Sequence, residues 1–406
     1  MQEQPEMFES VLIVLTLASM LLILYHHAGF PLIMRLARRR QPYSEPRLPA
    51  RNYAESRLDS LLPPVTILIP AYNEERWIAD KIRNLAALDY PHEKLRIIVA
   101  CDGCEDRTAD VARGVASEAF CRHLSLQVRE FMDNRGKVAV VNEIMQEIDT
   151  EFVALSDVSS LISIDALQIA AWHFQDPRLG VLNGSYRLLE PGSEGEVAYW
   201  SYQGNIKMSE AALGATIGAH GAFYLFRRHL FEPLAADTIN DDFILPMNIV
   251  ARGYRAGYEP AISILELEGS NVQTDRQRRL RISAGNLQQL IRLKHLLSPR
   301  YRGVAFVFLS GKALRVAMPF LMIAAFAGSL LLAGGSRFFM ILAVAQLLFY
   351  GLATWQLVTR RESAGRYLKL MAYFVDGHLA TLNGILRYLL GLERGRWQRV
   401  ITKSEI

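Results

Sequence analysis

Apolar stretches at both ends of the chain enclose a middle region in which short apolar runs alternate with amphipathic ones. Residues 11–34 are apolar apart from Thr16, Ser19 and the pair His26-His27. That run is long enough to cross about 30 Å of hydrocarbon. Glu3, Glu6 and Glu9 precede it, and Arg35, Arg38, Arg39 and Arg40 follow it. A cleaved signal would carry a basic leader and a small-residue cleavage site, so the run reads as a retained anchor. Positive residues stay on the cytoplasmic side, which predicts an outward N-terminus and an inward bulk. Residues 313–333 and 338–358 predict a second and a third span, joined by Gly334-Gly335-Ser336. Lys312 and Arg315 at one end, and Arg360, Arg361 and Arg366 at the other, return this hairpin to the same inner side. Residues 367–392 are apolar but carry Asp376, His378, Asn383 and Arg387. A spanning helix there would leave Arg394, Arg396 and Arg399 outside, which favours an interfacial or re-entrant helix. Residues 279–295 set Leu280, Leu287, Leu290, Ile291 and Leu293 among basic residues, the pattern of an amphipathic helix on the inner membrane surface.

The middle region predicts strands at 65–70 (VTILIP), 95–102 (LRIIVACD), 124–130 and 152–157 (FVALSD), with helices at 74–88, 107–119 and 136–148. Continuous apolar strands separated by helices imply a parallel sheet covered on both faces. Such sheets bind ligands beyond the carboxyl ends of their strands. Polar residues gather at those ends: Pro70-Ala71-Tyr72-Asn73-Glu74 after the first strand, Asp102-Gly103 after the second, Asp157 after the fourth. Each alone is equally well explained as a helix cap. Their convergence on one rim predicts a site. No phosphate-binding G-x-x-x-x-G-K-[ST] or G-x-G-x-x-G follows the first strand, so a nucleotide here would be held through carboxylates.

Composition refines this picture in three places. The chain of 406 residues has room for two or three structural units, and its 51% hydrophobic and 21% charged residues are reconciled by segregation into apolar ends and an ordinary middle. The net charge of +4 comes with basic clusters beside the apolar segments, at 35–40 and 360–366, which suits a membrane surface and not nucleic acid. Cys101, Cys104 and Cys121 are odd in number, which excludes a full disulfide framework. The lone C-x-x-C of Cys101 and Cys104 has no second ligand pair for zinc, so reduced thiols are expected.

Six ordered segments carry a resemblance: VTILIPAYNEE (65–75), IIVACDGCEDRT (97–108), NRGKVAVVN (134–142), LSDVSS (155–160), GAHGAFYLFRR (218–228) and INDDF (239–243). Together they resemble the inverting glycosyltransferases of family 2, with a GT-A fold. The resemblance is strongest to the membrane-bound branch near the poly-N-acetylglucosamine, hyaluronan and cellulose synthases, and it runs from about residue 60 to the C-terminus. It implies an α/β fold in which a nucleotide-sugar-binding, mostly parallel sheet carries helices on both faces, beside transmembrane and interfacial helices. The implied organisation is an N-terminal anchor (1–40), a linker (41–63), a cytoplasmic GT-A domain (64–275), amphipathic interfacial helices (276–312), a transmembrane hairpin (313–358), and a third hydrophobic segment, interfacial or spanning, with a basic tail (359–406).

The resemblance also implies residue roles. Pro70, Ala71, Tyr72 and Glu74 would line the nucleotide loop, and Asp102 would contact uracil and ribose. Lys137 and Arg281 would lie near the diphosphate. Asp157, with Ser159, would meet the diphosphate through Mg²⁺ or Mn²⁺, hard cations that prefer carboxylate and phosphate oxygens. Asp242 would be the single base that an inverting displacement needs, with Asp241 orienting it or binding acceptor. His220, Gly221 and Ala222 would face the acceptor, although an ordinary loop histidine also explains His220. As the first acidic residues of a helix, Asp241 and Asp242 have a purely structural explanation too.

Two departures stand out. Asp157-Val158-Ser159 replaces the second carboxylate of the D-x-D motif with a hydroxyl. The stretch Arg278-Arg279-Leu280-Arg281-Ile282 matches Q-x-x-R-W only at Arg281, and Ile282 stands where the family has the tryptophan that supports the acceptor sugar. The expected activity is transfer from a UDP-sugar to a growing exported or surface polysaccharide at the inner or plasma membrane. Ile282 favours an alternative, single transfer to a lipid or polyprenyl-linked acceptor. The altered D-x-D motivates another, a non-catalytic nucleotide-sugar-binding subunit of an export complex. A transporter would carry its ionisable groups inside the spans, and here they lie in the middle region. Expected partners are the UDP-sugar, a saccharide or lipid-linked acceptor, membrane lipids, and a second copy or an export protein.

Overall fold

The computed structural model describes residues 3–40, 46, 51–191, 194–269, 272–359, 361 and 365–392. The basic tail expected at Arg394, Arg396 and Arg399, and Arg360 of the preceding cluster, lie outside them. Among the described residues, eight strands form one sheet: β1 (Val65–Ala71), β2 (Leu95–Asp102), β3 (Ser125–Phe131), β4 (Phe152–Ser156), β5 (Ser160–Ile162), β6 (Leu179–Leu188), β7 (Phe223–Arg227) and β8 (Arg255–Glu266). The helices are α1 (Glu3–Leu24), α2 (Phe30–Arg40), α3 (Ile78–Ala86), α4 (Thr108–Ala116), α5 (Lys137–Ile144), α6 (Ala166–His173), α7 (Glu194–Ala212), α8 (Asp241–Ala251), α9 (Val272–Arg292), α10 (Gly303–Val307), α11 (Leu314–Leu332), α12 (Arg337–Thr359) and α13 (Arg366–Leu389).

The chain forms two compact units. One comprises the described residues of Met1–Ile33, Gln277–Ile291 and Phe306–Glu393, the other those of Met34–Arg276 and Arg292–Ala305. The second unit holds the sheet, in the order β3-β2-β1-β4-β7-β6-β8-β5. The four strands legible in the sequence, β1 to β4, pair in parallel. Beyond β4 the sheet is mixed: β7 runs antiparallel to β4 and β6, β8 lies parallel to β6, and β5 antiparallel to β8. Every residue of β1 is buried. Its four aliphatic side chains each contribute roughly 1.5–3 kcal/mol by leaving water, which explains the unbroken VTILIP run. Pro70 is tolerated in this central strand because β4 pairs only as far as Leu68. Helix α3 starts four residues after the expected Glu74. The Glu74 and Glu75 amides donate instead to Thr108 Oγ1 (2.8 Å) and Asp106 Oδ2 (3.0 Å), tying the loop after β1 to the loop after β2.

Among the described residues, three helical stretches are long and apolar enough to cross a membrane: Met7–Arg39, Gly303–Leu332 and Arg337–Thr359. They cover the three stretches expected at 11–34, 313–333 and 338–358, except that the second ends at Leu332. Their outward residues, such as Leu21, Leu331 and Val358, are exposed, which suits a lipid environment. Helix α1 packs on α11, and α13 packs on α11 and α12. A Cβ on Gly328 would lie 2.0 Å from Thr16 Oγ1, so only glycine permits this approach of α11 to α1. Helix α9 meets α13 in the same way: a Cβ on Gly384 would lie 2.4 Å from Ser283 Cβ.

One core residue breaks the apolar pattern of the sheet unit. Lys81 shares the buried face of α3 with Ile78, Ile82 and Leu85. Its Nζ donates to Ser156 Oγ (2.6 Å) and Ser160 O (2.5 Å), bracing the turn between β4 and β5. Burial lowers its pKa from 10.5 to about 7, against the opposing pull of Asp157 and Glu266. The unfolded chain therefore binds more protons than the native one between those two values, and stability rises with pH there. We predict that the apparent melting temperature of the wild-type protein in detergent rises from pH 7 to pH 10 relative to that of Lys81→Met. Parallel melting curves for the two proteins across this window would contradict the assignment.

Candidate active site

The carboxyl ends of β1, β2 and β4 open on one rim. Pro70 and Ala71 are buried within β1, while Tyr72, Asn73 and Glu74 emerge from it half-buried. Asn73 takes a left-handed conformation (φ 55°), and its Oδ1 accepts the Glu105 amide (2.8 Å). Asp102 is fully buried, and both carboxylate oxygens are engaged: Oδ1 by the Arg135 amide (3.0 Å) and Oδ2 by the Gly136 amide (2.7 Å). Gly136 has φ 91° and ψ 151°, a region open essentially to glycine alone. Asp102 thus fixes the turn that starts α5.

That turn delivers Lys137 as the first residue of α5. A cation at a helix N-terminus opposes the helix dipole by roughly 0.3–1 kcal/mol, so it needs compensation. Carboxylates supply it. Lys137 Nζ lies 2.8 Å from Asp157 Oδ1 and 3.7 Å from Asp241 Oδ2. Burial alone would lower the Lys137 pKa, but Asp157, Asp241 and Asp242 together hold it above its ordinary range. Asp241 and Asp242 open α8. Tyr224 of β7 reports the same negative locus from behind: burial, then the charges of Asp241, Asp242 and Asp157, push its hydroxyl well above the usual range.

The 218–228 segment joins these groups. The Ala219 amide donates to Asp242 O (2.8 Å), and the Asp157 amide donates to Ala222 O (3.0 Å). Between them, a Cβ built on Gly221 would lie 3.2 Å from Asp242 Oδ2 and 3.6 Å from Asp157 Oδ2. Glycine at 221 therefore keeps a side chain away from both carboxylates. His220 Nδ1 accepts the Ala222 amide (3.3 Å), and its ring stacks on Tyr186 at 3.9 Å.

Ser159 O accepts the Leu267 amide (2.9 Å), and its hydroxyl is bonded to the buried carboxyl of Glu266 at the end of β8. Burial raises the Glu266 pKa. Arg281 and Ile282 are both exposed and sit on the stretch of α9 that belongs to the helical unit. Asp102, Lys137, Asp157, Gly221, Asp241 and Asp242 are thus linked within the sheet unit. Sequence reading missed Lys81 and Glu266. The first had a signal, a lysine in step with Ile78, Ile82 and Leu85. The second had none, because only the pairing of β8 with β5 brings it to Ser159.

Comparison with known proteins bears on the same unit. A family model described as "Glycosyltransferase like family 2" matches residues 63–285. Poly-beta-1,6-N-acetyl-D-glucosamine synthase of Staphylococcus aureus (strain COL) is 28% identical over 236 residues, 56% of this chain and 56% of that protein. The synthase of the same name from Staphylococcus epidermidis is 26% identical over 236 residues, with the same shares. The chain thus aligns with little more than half the length of these curated relatives. Among solved structures, a mannosyltransferase from Pyrobaculum calidifontis in complex with GDP-Man and Mn2+ superposes with a TM-score of 0.68 at 21% identity, covering 93% of this chain and 99% of that one. That likeness bears on the fold, a mixed α/β sheet of GT-A type. A family match over more than half of the chain, on a sheet of this type, makes the protein a glycosyltransferase belonging to family 2.

Proposed function

We propose that the protein transfers a sugar, with inversion, from a UDP-sugar to a saccharide acceptor, extending an exported or surface polysaccharide at the inner face of the plasma membrane. The observation that carries this reading is the approach of two carboxylates to one glycine: a Cβ on Gly221 would lie 3.2 Å from Asp242 Oδ2 and 3.6 Å from Asp157 Oδ2. Asp242 removes the proton from the acceptor hydroxyl as that oxygen bonds to the anomeric carbon. The bond from that carbon to the diphosphate breaks, and its electrons leave with UDP. Lys137, held charged by the surrounding carboxylates, stabilises the negative charge on the leaving oxygen. Asp241 keeps Lys137 in place. In this reading Tyr72, Glu74 and Asp102 serve the nucleotide, Asp102 by bracing the turn that bears Lys137. Arg281 serves the diphosphate, and His220, Gly221 and Ala222 serve the acceptor.

The residues at the rim fit a hard divalent cation. They offer carboxylate oxygens, and Asp241 Oδ2 is buried without a hydrogen-bond partner among the described residues. No cluster of three histidine, cysteine, aspartate or glutamate ligands occurs among those residues. Asp157 would hold the cation, with Ser159, backed by Glu266, at the second motif position. Bound there, Mg²⁺ or Mn²⁺ would act as a Lewis acid toward the leaving diphosphate. The apolar helices anchor the sheet unit at the membrane, with a second copy or an export protein completing the path for the product. Ile282 supports a second reading, single transfer to a lipid-linked acceptor. A ladder of products from purified protein would exclude it.

Three outcomes test the proposal on protein purified in detergent. A panel of UDP-sugars and GDP-mannose with Mg²⁺ or Mn²⁺ should release UDP from a UDP-sugar, and chelation with EDTA should abolish release until metal is restored. Asp242→Asn should lower kcat by about 10²–10⁴-fold while leaving donor affinity within twofold; transfer at the wild-type rate would refute the assigned base. Gly221→Val, which sets a branched side chain against both carboxylates, should lose at least about 100-fold in kcat/KM with an unchanged melting temperature.

A further inference from the structure

A pocket opens between α7 and strands β6 and β8 of the sheet unit, one residue from Gly221. Trp200, Gln203 and Lys207 line it from α7, Asn183 and Tyr186 from β6, and His220 closes the end toward the carboxylates. Its walls are aromatic. Trp200 lies 4.3 Å from Tyr186 and 5.4 Å, edge-on, from His220, and Tyr186 stacks on His220. The indole N–H of Trp200 has no hydrogen-bond partner among the described residues, so packing alone holds the ring.

The polar groups of the pocket narrow its ligand. Asn183 is only 2% exposed. Its Nδ2 donates to Thr216 Oγ1 (2.8 Å) and to Gly257 O (3.1 Å), which uses both amide hydrogens. Flipping the amide would set its oxygen against the Gly257 carbonyl, so the orientation is fixed. Asn183 Oδ1 is left buried with no partner among the described residues. A buried acceptor of this kind calls for a donor, at a cost of roughly 1–3 kcal/mol if none arrives. Lys207 does not present a free charge to the pocket, because Nζ is committed to Ile217 O (2.5 Å) and Glu210 (3.1 Å). A site with an unmet acceptor, aromatic walls and a neutralised cation suits a neutral, hydroxyl-bearing ring and disfavours a phosphate.

We propose that this pocket is the acceptor-sugar subsite, in which a pyranose ring packs its C–H face on Trp200, donates a hydroxyl to Asn183 Oδ1, and presents the attacking hydroxyl past His220 to Asp242. The inference rests on the reading of Asp242 as the base. It assigns the aromatic support for the acceptor, absent at Ile282, to a residue of α7. The connection between pocket and base is covalent and short: His220 precedes Gly221, and the Ala219 amide is bonded to the Asp242 carbonyl.

The test uses the full chain in detergent, with a β-1,6-linked N-acetylglucosamine tetrasaccharide and cellotetraose as probes, and measures probe and UDP-sugar dissociation constants separately. Wild type should bind at least one probe. Trp200→Ala should weaken that binding about tenfold, the scale of one lost aromatic contact, and Trp200→Phe should restore most of it, with UDP-sugar affinity within twofold throughout. Should Trp200→Ala also lose donor binding, Gln203→Trp, which fills the pocket from the adjacent turn of α7, replaces it with the same tenfold expectation. Unchanged probe affinity in these variants, or a wild type that binds UDP-sugar but neither probe, overturns the subsite. Probe binding that falls as expected while Asp242→Asn transfers sugar at the wild-type rate would instead overturn the base and leave the subsite standing.

Discussion

The site depends on one balance of charge, a lysine at the head of a helix held by carboxylates from two other elements. Lys137 is placed where the dipole of α5 disfavours it, and Asp157 and Asp241 compensate. At an effective dielectric of about 20, opposite charges near 4 Å attract by ~4 kcal/mol before desolvation, well above the dipole's cost. The same lysine keeps Asp157, Asp241 and Asp242 from repelling one another at a single rim. The backbone serves this balance. Asp102 spends both oxygens on the turn that starts α5. The Ala219 and Asp157 amides stitch the 218–228 segment to the two carboxylate-bearing elements.

The sheet makes the convergence possible. Parallel β1, β2 and β4 end on the same side, so their trailing loops meet. The antiparallel return of β7 then brings Gly221 and Ala222, just before it, against Asp157, just after β4. A purely parallel sheet would have sent that segment to the opposite rim. The mixed half of the sheet therefore brings the candidate site residues together, and it also places Asn183 and Tyr186 of β6 beside α7.

Below the rim, a second polar layer supports the first. Lys81 bonds both sides of the turn that holds Asp157, and Glu266 reaches Ser159 in the same turn. A buried polar group is costly unless it is hydrogen-bonded, and both residues are bonded. Their presence beneath the Asp157-Val158-Ser159 turn gives a physical account of how the turn is held although its second acidic position is a serine.

The strands β1 to β4, the three long apolar helices and the positions of Asp102 and Asp157 at strand ends were legible in the chain itself, because each rests on local periodicity, whereas Asp242 was pointed to only by the family resemblance. Strands β5 to β8 were not legible. The burial of β8 alternates irregularly, and the register between β6 and β8 shifts twice, so no period of two survives to be read. The start of α3 was misplaced for a related reason: Glu74 and Glu75 spend their amides on Thr108 and Asp106 of a distant loop. The roles of Lys81, Glu266, Asn183 and Trp200 appear only once strands far apart in sequence lie side by side. The sequence by itself determined which segments are apolar, which loops end strands, and which family motifs those loops carry. The tertiary structure alone decided which side chains face one another across those loops, because pairing of non-local strands sets those distances and no local pattern encodes them.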